Sequence, residues 1–466
     1  MGESLPFARY ASEFVGTFVL VFTIGCNVLA QSGTFAGVSI GCALMVMIYS
    51  LGKCSGAHFN PAVTFSLYCL QKIALLEGMI YVVMQLSGAI AAGFCYTVMF
   101  GKSVNLAPTE GHTWFAAAVS ELLYTFMLCF VVLNTAASKV HADKNQFYGL
   151  AIGFVIIAGA YSAGALSMGA FNPAVAIAID VSSASTTGIK YCFLYTIVEL
   201  LGAALAACLF VLCRPEELPA YIHRTELPSG PPHLPSKLTS EFIGTYILVL
   251  TVGLNVLNGS SAAAFSVAAS LTCMIFALGS VSGAHFNPAV TTAIFCAGHT
   301  DLTILEVGAY ILTQVIAGIM AAFSYCAIMG GKSFELYSGE YSLAQACTAE
   351  LAFTFVLAFV VLSVATVKSP LSEFFGLAIG MCVTVGGIAV GAVSGASLNP
   401  AVSIGVYTSA AVLGTSAFWQ CIAYSVAEIF AGAAAACVFQ ATQPSELKTS
   451  PFSLMGMTAD YGATRP

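Results

Sequence analysis

Twelve apolar stretches of roughly 18–25 residues, each long enough to cross the hydrocarbon core of a bilayer, dominate this sequence. They fall near 9–29, 36–53, 77–99, 114–137, 146–163, 189–212, 238–258, 263–280, 303–328, 343–366, 374–391 and 413–438. Only 8% of the 466 residues are charged, against about 25% in a soluble globular chain. Lipid rather than water is therefore the main solvent. The first stretch contains Glu13 and has no small-residue cleavage site, so it reads as a retained span rather than a signal peptide.

The lysines and arginines set an orientation. With the N-terminus inside, Arg9, Lys53, Lys72, Lys139, Lys144, Arg214, Arg224, Lys237, Lys368, Lys448 and Arg465 lie in the cytoplasm, and only Lys102, Lys190 and Lys332 lie opposite. Twelve crossings return the C-terminus to the cytoplasmic side. Scattered acids give the net charge of −7 no patch to act through. No basic run interleaved with aromatics points to nucleic acid. The sixteen cysteines sit mostly in apolar stretches without a CxxC pair, which suits small buried thiols better than metal ligands or disulfides. No metal-ligand cluster or nucleophile–base pattern suggests an enzyme or a cofactor.

Internal repeats set the architecture. Glu-x-x-x-Thr occurs four times in apolar context, at Glu13, Glu121, Glu241 and Glu350, and Asn-Pro-Ala follows each copy, at Asn60, Asn172, Asn287 and Asn399. Corresponding elements of the two chain halves are offset by 227 to 229 residues. Within a half, three crossings separate the two copies and so invert them, an arrangement that places a site at the bilayer midplane. Six crossings separate the halves, which therefore point the same way. Residues 1–213 form a first unit and 237–442 a second; the proline-rich 214–236 reads as an extended cytoplasmic linker and 443–466 as a cytoplasmic tail.

The apolar segments after each Asn-Pro-Ala (Ala62–Leu70, Ala174–Val181, Ala289–Cys296 and Ala401–Tyr407) are too short to span. They read as half-helices. Irregular backbone at membrane depth is tolerated only inside protein or along a wet cavity, so a pore follows. Asn is a favoured N-cap and Pro a favoured first helical residue. The elements Asn60-Pro61-Ala62, Asn172-Pro173-Ala174, Asn287-Pro288-Ala289 and Asn399-Pro400-Ala401 thus start helices whose positive ends meet at the midplane. Such a site disfavours cations and hydronium while Asn NH2 groups offer hydrogen bonds to a neutral solute.

Four such elements at matched spacing, with Gln85-x-x-Gly88 and Gln314-x-x-x-Gly318 in the third helix of each half, resemble the aquaporin (major intrinsic protein) family over nearly the whole chain. The resemblance implies an all-α membrane protein of two right-handed bundles, each with six transmembrane helices and two half-helices, conducting water and small neutral solutes. It implies that Glu13, Glu121, Glu241 and Glu350 are structural acids receiving loop amides, with the i+4 threonines sharing that network. It places His58 and His285 near the cytoplasmic mouth, where a structural hydrogen bond is favoured over a pH gate. Glu199 and Glu428 stand where many relatives have proline and receive no role. Family tetramers imply that two copies of this double chain assemble as a homodimer with four pores.

Carried over by offset from the asparagines, the selectivity filter is Ile40, Ala160, Gly169 and Val175 in the first half and Val267, Gly387, Ala396 and Val402 in the second; a one-residue slip would bring in Tyr161. The aromatic, His and Arg usual in the family are all missing. Both filters should be wider and more apolar than a strict water filter, and without the Arg the half-helix ends remain the main barrier to protons. Glycerol, urea, ammonia and hydrogen peroxide are all candidates. Two other readings remain at this point: a twelve-helix secondary transporter, which also uses inverted repeats, and a closed membrane protein with a structural role.

Overall fold

A computed structural model describes residues 6–186, 188–218, 232–336, 340–414 and 416–446, and all regular structure among them is helical. The first half comprises α1 (Pro6–Ala30), α2 (Ala36–Ser55), α3 (Pro61–Cys69), α4 (Leu75–Phe100), α5 (Trp114–Val132), α6 (Tyr148–Ser162), α7 (Gly164–Ser167), α8 (Pro173–Ser182) and α9 (Cys192–Cys213). The second comprises α10 (Leu234–Leu257), α11 (Ala263–Ser282), α12 (Pro288–Cys296), α13 (Ile304–Ile328), α14 (Leu343–Ala365), α15 (Phe375–Ser394), α16 (Pro400–Val412) and α17 (Gln420–Thr442). Among the described residues eleven helices are long and apolar enough to cross a membrane. The expected span at 146–163 is instead the 15-residue α6, broken before the single turn of α7. The four short elements α3, α8, α12 and α16 are the half-helices, α16 running five residues beyond the expected Tyr407.

Small residues let the helices close on one another, as membrane packing requires. A Cβ on Gly88 would lie 2.4 Å from the Phe14 carbonyl oxygen, so the glycine of Gln85-x-x-Gly88 is where α4 meets α1. Gly318 gives α13 the same approach to α16, against the Ala401 carbonyl oxygen at 2.3 Å. Gly16 and Gly244 make room for the rings of Phe59 and Phe286, which anchor the loops before α3 and α12.

The halves meet mainly through α6 and α11. Ser266 Oγ donates to the Ala158 carbonyl at 2.9 Å, Asn258 Nδ2 to the Ser162 carbonyl at 2.7 Å, and Phe147 stacks on Phe276 at 4.3 Å. Asn258 belongs to the Asn-Gly-Ser sequon, and its amide nitrogen is thus engaged inside the join. Two contacts link residues at equivalent places in the two halves: Thr34 Oγ1 with Ser261 Oγ at 3.0 Å, and the Gln146 amide with Glu373 Oε2 at 2.7 Å. The main contact joins unlike elements, α6 meeting α11, the counterpart of α2, so the halves pack head to tail, with these like-to-like contacts near the axis.

The edges of the expected linker are structured rather than extended. Arg214, 2% exposed, donates from Nε to Asn134 Oδ1 (2.8 Å) and from a terminal nitrogen to Ser280 Oγ (2.7 Å) and the Ala277 carbonyl (3.3 Å), pinning the end of α9 to α11. Glu217 accepts from Lys72 Nζ at 2.7 Å and from the Lys139 amide. Pro235 sits in the first turn of α10, where its missing N–H costs nothing. Residues 219–231 and 447–466, the rest of the expected linker and most of the expected tail, lie outside the described residues.

Candidate functional site: paired re-entrant loops

Each loop before a half-helix carries non-glycine residues in left-handed backbone: Ala57 and Phe59, Phe171, Ala284 and Phe286, Ala396 and Leu398, with φ between 48° and 53°. Such conformations cost of order 1–3 kcal/mol each and persist only where the surroundings impose them. Here the buried glutamates do so. The left-handed residues help to turn successive amides toward one carboxylate, as in an anion-binding nest. Glu13 accepts from the His58 amide (3.0 Å), the Phe59 amide (2.8 Å) and Ser55 Oγ (2.6 Å). Glu241 repeats this with His285, Phe286 and Ser282, Glu121 with Ala170, Phe171 and Ser167, and Glu350 with Ser397, Leu398 and Ser394. All four carboxyls are fully buried.

The threonines of Glu-x-x-x-Thr do not join this network. Thr17 Oγ1 bonds back to the Glu13 carbonyl at 2.7 Å, and the hydroxyls of Thr125, Thr245 and Thr354 have no partner among the described residues. The i+4 position faces along the helix, not toward the loop. The serines ending α2, α7, α11 and α15 supply the hydroxyls instead.

The asparagines cap as their sequence requires: Asn60, Asn172, Asn287 and Asn399 Oδ1 accept from the Ala62, Ala174, Ala289 and Ala401 amides at 2.8–2.9 Å. Their NH2 groups are only half available. Asn60 Nδ2 donates to the Phe171 carbonyl and Asn172 Nδ2 to the Phe59 carbonyl, both at 2.9 Å. Asn287 donates to Leu398 (2.8 Å) and Asn399 to Phe286 (2.9 Å). The two loops of a half are thus laced reciprocally, each asparagine using one N–H of its NH2 group in the lacing. This crosslink joins partners 111 to 113 residues apart and has no signal in the sequence.

Around each laced pair lies an apolar cavity. In the second half it measures about 520 Å³ and runs from His299, Asp301 and Thr366 at one mouth, past His285, Asn287 and Asn399, to Val267, Ala396 and Val402. In the first half the section lined by His58, Asn60, Asn172, Ile40, Gly169 and Val175 holds about 30 Å³, room for a water or two. A separate mouth of about 480 Å³ lies beyond His58, between Arg9, Lys53, Lys72 and Glu77. In the first half the loop section and the mouth are thus two cavities, where in the second half they are one. Six wall positions differ: Ile24, Ile40, Ile156, Gly169, Ala170 and Phe171 in the first half are Val252, Val267, Val383, Ala396, Ser397 and Leu398 in the second. Each isoleucine adds one methylene to the wall.

Ala160 and Gly387 line neither cavity. Ala160 faces Gly37 of α2, and Gly387 faces Ala264 of α11; alanine and glycine have changed places so that both contacts close. Tyr161 does not enter the filter either: its hydroxyl bonds the Thr34 carbonyl and the Val38 amide, clamping α6 to the start of α2. His58 and His285 each hold a threonine hydroxyl, Thr64 and Thr291, through Nδ1 at 3.1 Å. Glu199 and Glu428 bond directly to the pore loops. Glu199 Oε1 accepts from the Asn172 amide (2.9 Å), and Glu428 Oε1 from the Asn399 amide (3.0 Å) and Ser403 Oγ (2.9 Å).

The sequence matches the profile of the Major intrinsic protein family over residues 3–210 and 232–439, with a further match at 150–256 that straddles the join. It is 33% identical to the Probable aquaporin NIP4-2 of Arabidopsis thaliana over 36% of this chain and 61% of that relative's length. It is 32% identical to Aquaporin NIP2-3 of Zea mays over 46% of this chain and 71% of that one, and 32% identical to Nodulin-26 of Glycine max over 46% and 82%. Each match covers less than half of this chain. A solved aquaglyceroporin from Plasmodium falciparum aligns with 46% of this chain and 99% of its own, at 19% identity and a TM-score of 0.41.

Proposed function

The chain belongs to the major intrinsic protein family, and from that premise we propose that it carries two separate pores, one in each half, of unequal width. It is an integral multi-pass membrane protein, and family membership makes it a channel for water and small solutes. What carries the two-pore reading is the lacing of the asparagines, which bond across the loops of their own half only: Asn60 with Phe171 and Asn172 with Phe59, Asn287 with Leu398 and Asn399 with Phe286. The first half's loop section, about 30 Å³ and separate from its mouth, suits water in single file, and the second half's cavity, about 520 Å³ with its mouth included, suits glycerol-sized neutral solutes as well. Protons are turned back by the opposed half-helix ends and by asparagines that donate but do not relay. No charged side chain lies beside the paired asparagines in either cavity's lining, which favours a channel over an ion-coupled carrier. Stopped-flow swelling of proteoliposomes tests this: water and glycerol flux should be linear in gradient and indifferent to ion gradients. Saturating, ion-driven flux would reject it.

The reading extends to assembly as a homodimer with four pores. The head-to-tail join between the halves leaves its complementary faces open at the ends: α1 and α2 on one side, α14 and α15 on the other. Val46 is 48% exposed where its equivalent Cys273 is buried in the join, and Val385 is 53% exposed where its equivalent Ala158 is buried. A heterologous contact either closes into a ring or propagates, and one further copy suffices for closure. Charge supports this. Ser280 and Arg214 meet inside the join, and their equivalents on the open faces are Lys53 and Gln443, so the cation has moved to the other partner. A detergent-corrected mass of one or four chains would reject the homodimer. The lysine and arginine distribution supports a cytoplasmic position for both termini, which accessibility labelling of a cysteine added near either terminus would check.

A further inference from the structure

The two kinds of pore loop are built alike except at one position. Behind the first loop of each half, the buried glutamate meets an amide: Gln85 Nε2 donates to Glu13 Oε2 at 2.8 Å, and Gln314 Nε2 to Glu241 Oε2 at 2.9 Å. Behind the second loop, the place of that glutamine in the inverted repeat is taken by Glu199 of α9 and Glu428 of α17. Glu121 and Glu199 take the successive amides of Phe171 and Asn172, and Glu350 and Glu428 those of Leu398 and Asn399, so the two carboxyls of each pair lie side by side behind one loop. All four carboxyls are fully buried, and no ion pair reaches any of them among the described residues.

Their other contacts divide the roles. Glu121 accepts three donors, Ser167 Oγ (2.5 Å), the Ala170 amide (3.0 Å) and the Phe171 amide (2.7 Å), and is fully supplied as an anion. Glu199 accepts the Asn172 amide on Oε1, while its Oε2 has no donor within reach. Glu428 matches it: Oε1 takes Asn399 and Ser403, and Oε2 has none. Two ionised carboxylates in contact, buried and without a cation, repel each other and lose their hydration together. One proton removes both penalties, and the oxygen lacking a donor is where it sits.

We propose that Glu199 and Glu428 are neutral carboxylic acids, each donating a proton from Oε2 to its ionised partner Glu121 or Glu350 while Oε1 positions the backbone of the pore asparagine. They do with an O–H what Gln85 and Gln314 do with an N–H. Each of the four loops then carries a single negative charge behind its half-helix, and the opposed ends stay balanced at the midplane. An ionised pair would put two charges behind Asn172 or Asn399 and draw cations toward the site that must refuse them. Glu199 and Glu428 are thus positioning residues for exclusion, one step behind the pore lining.

Infrared spectroscopy of the full chain in lipid vesicles at neutral pH tests the protonation independently of transport. The protein should show the carbonyl band of buried protonated carboxylic acids, shifted slightly by deuterium exchange. Glu199→Gln should remove about half of it and Glu428→Gln the rest, each acid being one of an equivalent pair. Function supplies the second readout. The double glutamine variant retains the donor and should conduct water with proton-tight vesicles, whereas Glu199→Leu with Glu428→Leu should leak protons or fail to assemble. No protonated carboxyl band, or a band that survives both glutamine substitutions, overturns the proposal even if the leucine variant does not fold. A proton-tight, water-conducting leucine variant would overturn the positioning role.

Discussion

Replacing Ile24, Ile40 and Ile156 by valine should widen the first pore toward the second, Gly169, Ala170 and Phe171 still differing from Ala396, Ser397 and Leu398. These are the wall positions at which the first pore carries one methylene more than the second. A glycerol-sized solute entering the first pore must push three such groups aside. Overpacking by a methylene costs about 1–3 kcal/mol, and at the low end three cost about 3 kcal/mol, or roughly a hundredfold in rate. The assay is glycerol-driven reswelling of proteoliposomes in which Val402→Arg has blocked the second pore; Val402 is 2% exposed on that wall. In this background glycerol flux should fall to a small residue while water flux persists, and the three valines should restore glycerol flux roughly a hundredfold. Valine at an isoleucine site typically costs about 0.5–1.5 kcal/mol of stability, so the protein is expected to survive the change. If Val175→Arg and Val402→Arg remove equal shares of glycerol flux in the parent protein, the unequal-pore argument is wrong.

Three further outcomes follow from contacts described above. Glu241→Leu orphans the buried His285 and Phe286 amides; at about 1–3 kcal/mol each the loss is about 2–6 kcal/mol, seen as a lower thermal midpoint in detergent. Ser280→Lys sets a second cation against Arg214 and should destabilise the join, while adding Arg214→Gln recreates the Lys53–Gln443 pairing of the open faces and should recover the midpoint; no recovery would count against the matched faces. His141 bonds Ser280 Oγ through Nε2 at 3.0 Å, and burial beside Arg214 and Lys144 pushes its pKa down to about 4. Unfolded chains take up this proton near pH 6.5 and folded ones only near 4, so stability should fall with pH across that window, and His141→Gln should flatten the slope.

The fold was legible because its signals are local or periodic. Spans are runs of apolar residues, Asn-Pro starts a helix, and a constant offset reveals duplication. The half-helix starts coincide with Pro61, Pro173, Pro288 and Pro400 for that reason. What resisted reading depends on directions that a one-dimensional pattern does not carry. Offset alone placed Ala160 and Gly387 in the filters, but a small residue on α6 or α15 serves equally well to let α2 or α11 approach, and there it does. The glutamates were recognisable as buried acids, yet which hydroxyl completes each nest depends on where α2, α7, α11 and α15 end, so serines rather than threonines were chosen. Aligning the halves exposes the three isoleucine–valine pairs, but only the cavity shows that they share one wall. Glu199 and Glu428 became interpretable only once the inverted repeat set them opposite Gln85 and Gln314.

The join at Arg214 has a consequence for the cell that owns this channel. If both halves conduct as proposed, one polypeptide carries both conduits, and the two pathways reach the membrane in strict one-to-one supply, side by side, whatever the level of expression. Neither can be enriched, sorted or withdrawn without the other. Any tuning of the balance between water and solute permeability must therefore act after synthesis, on one mouth at a time, and the two mouths differ in the groups they offer: Lys72 held by Glu217 at the first, His299 held by Thr366 at the second.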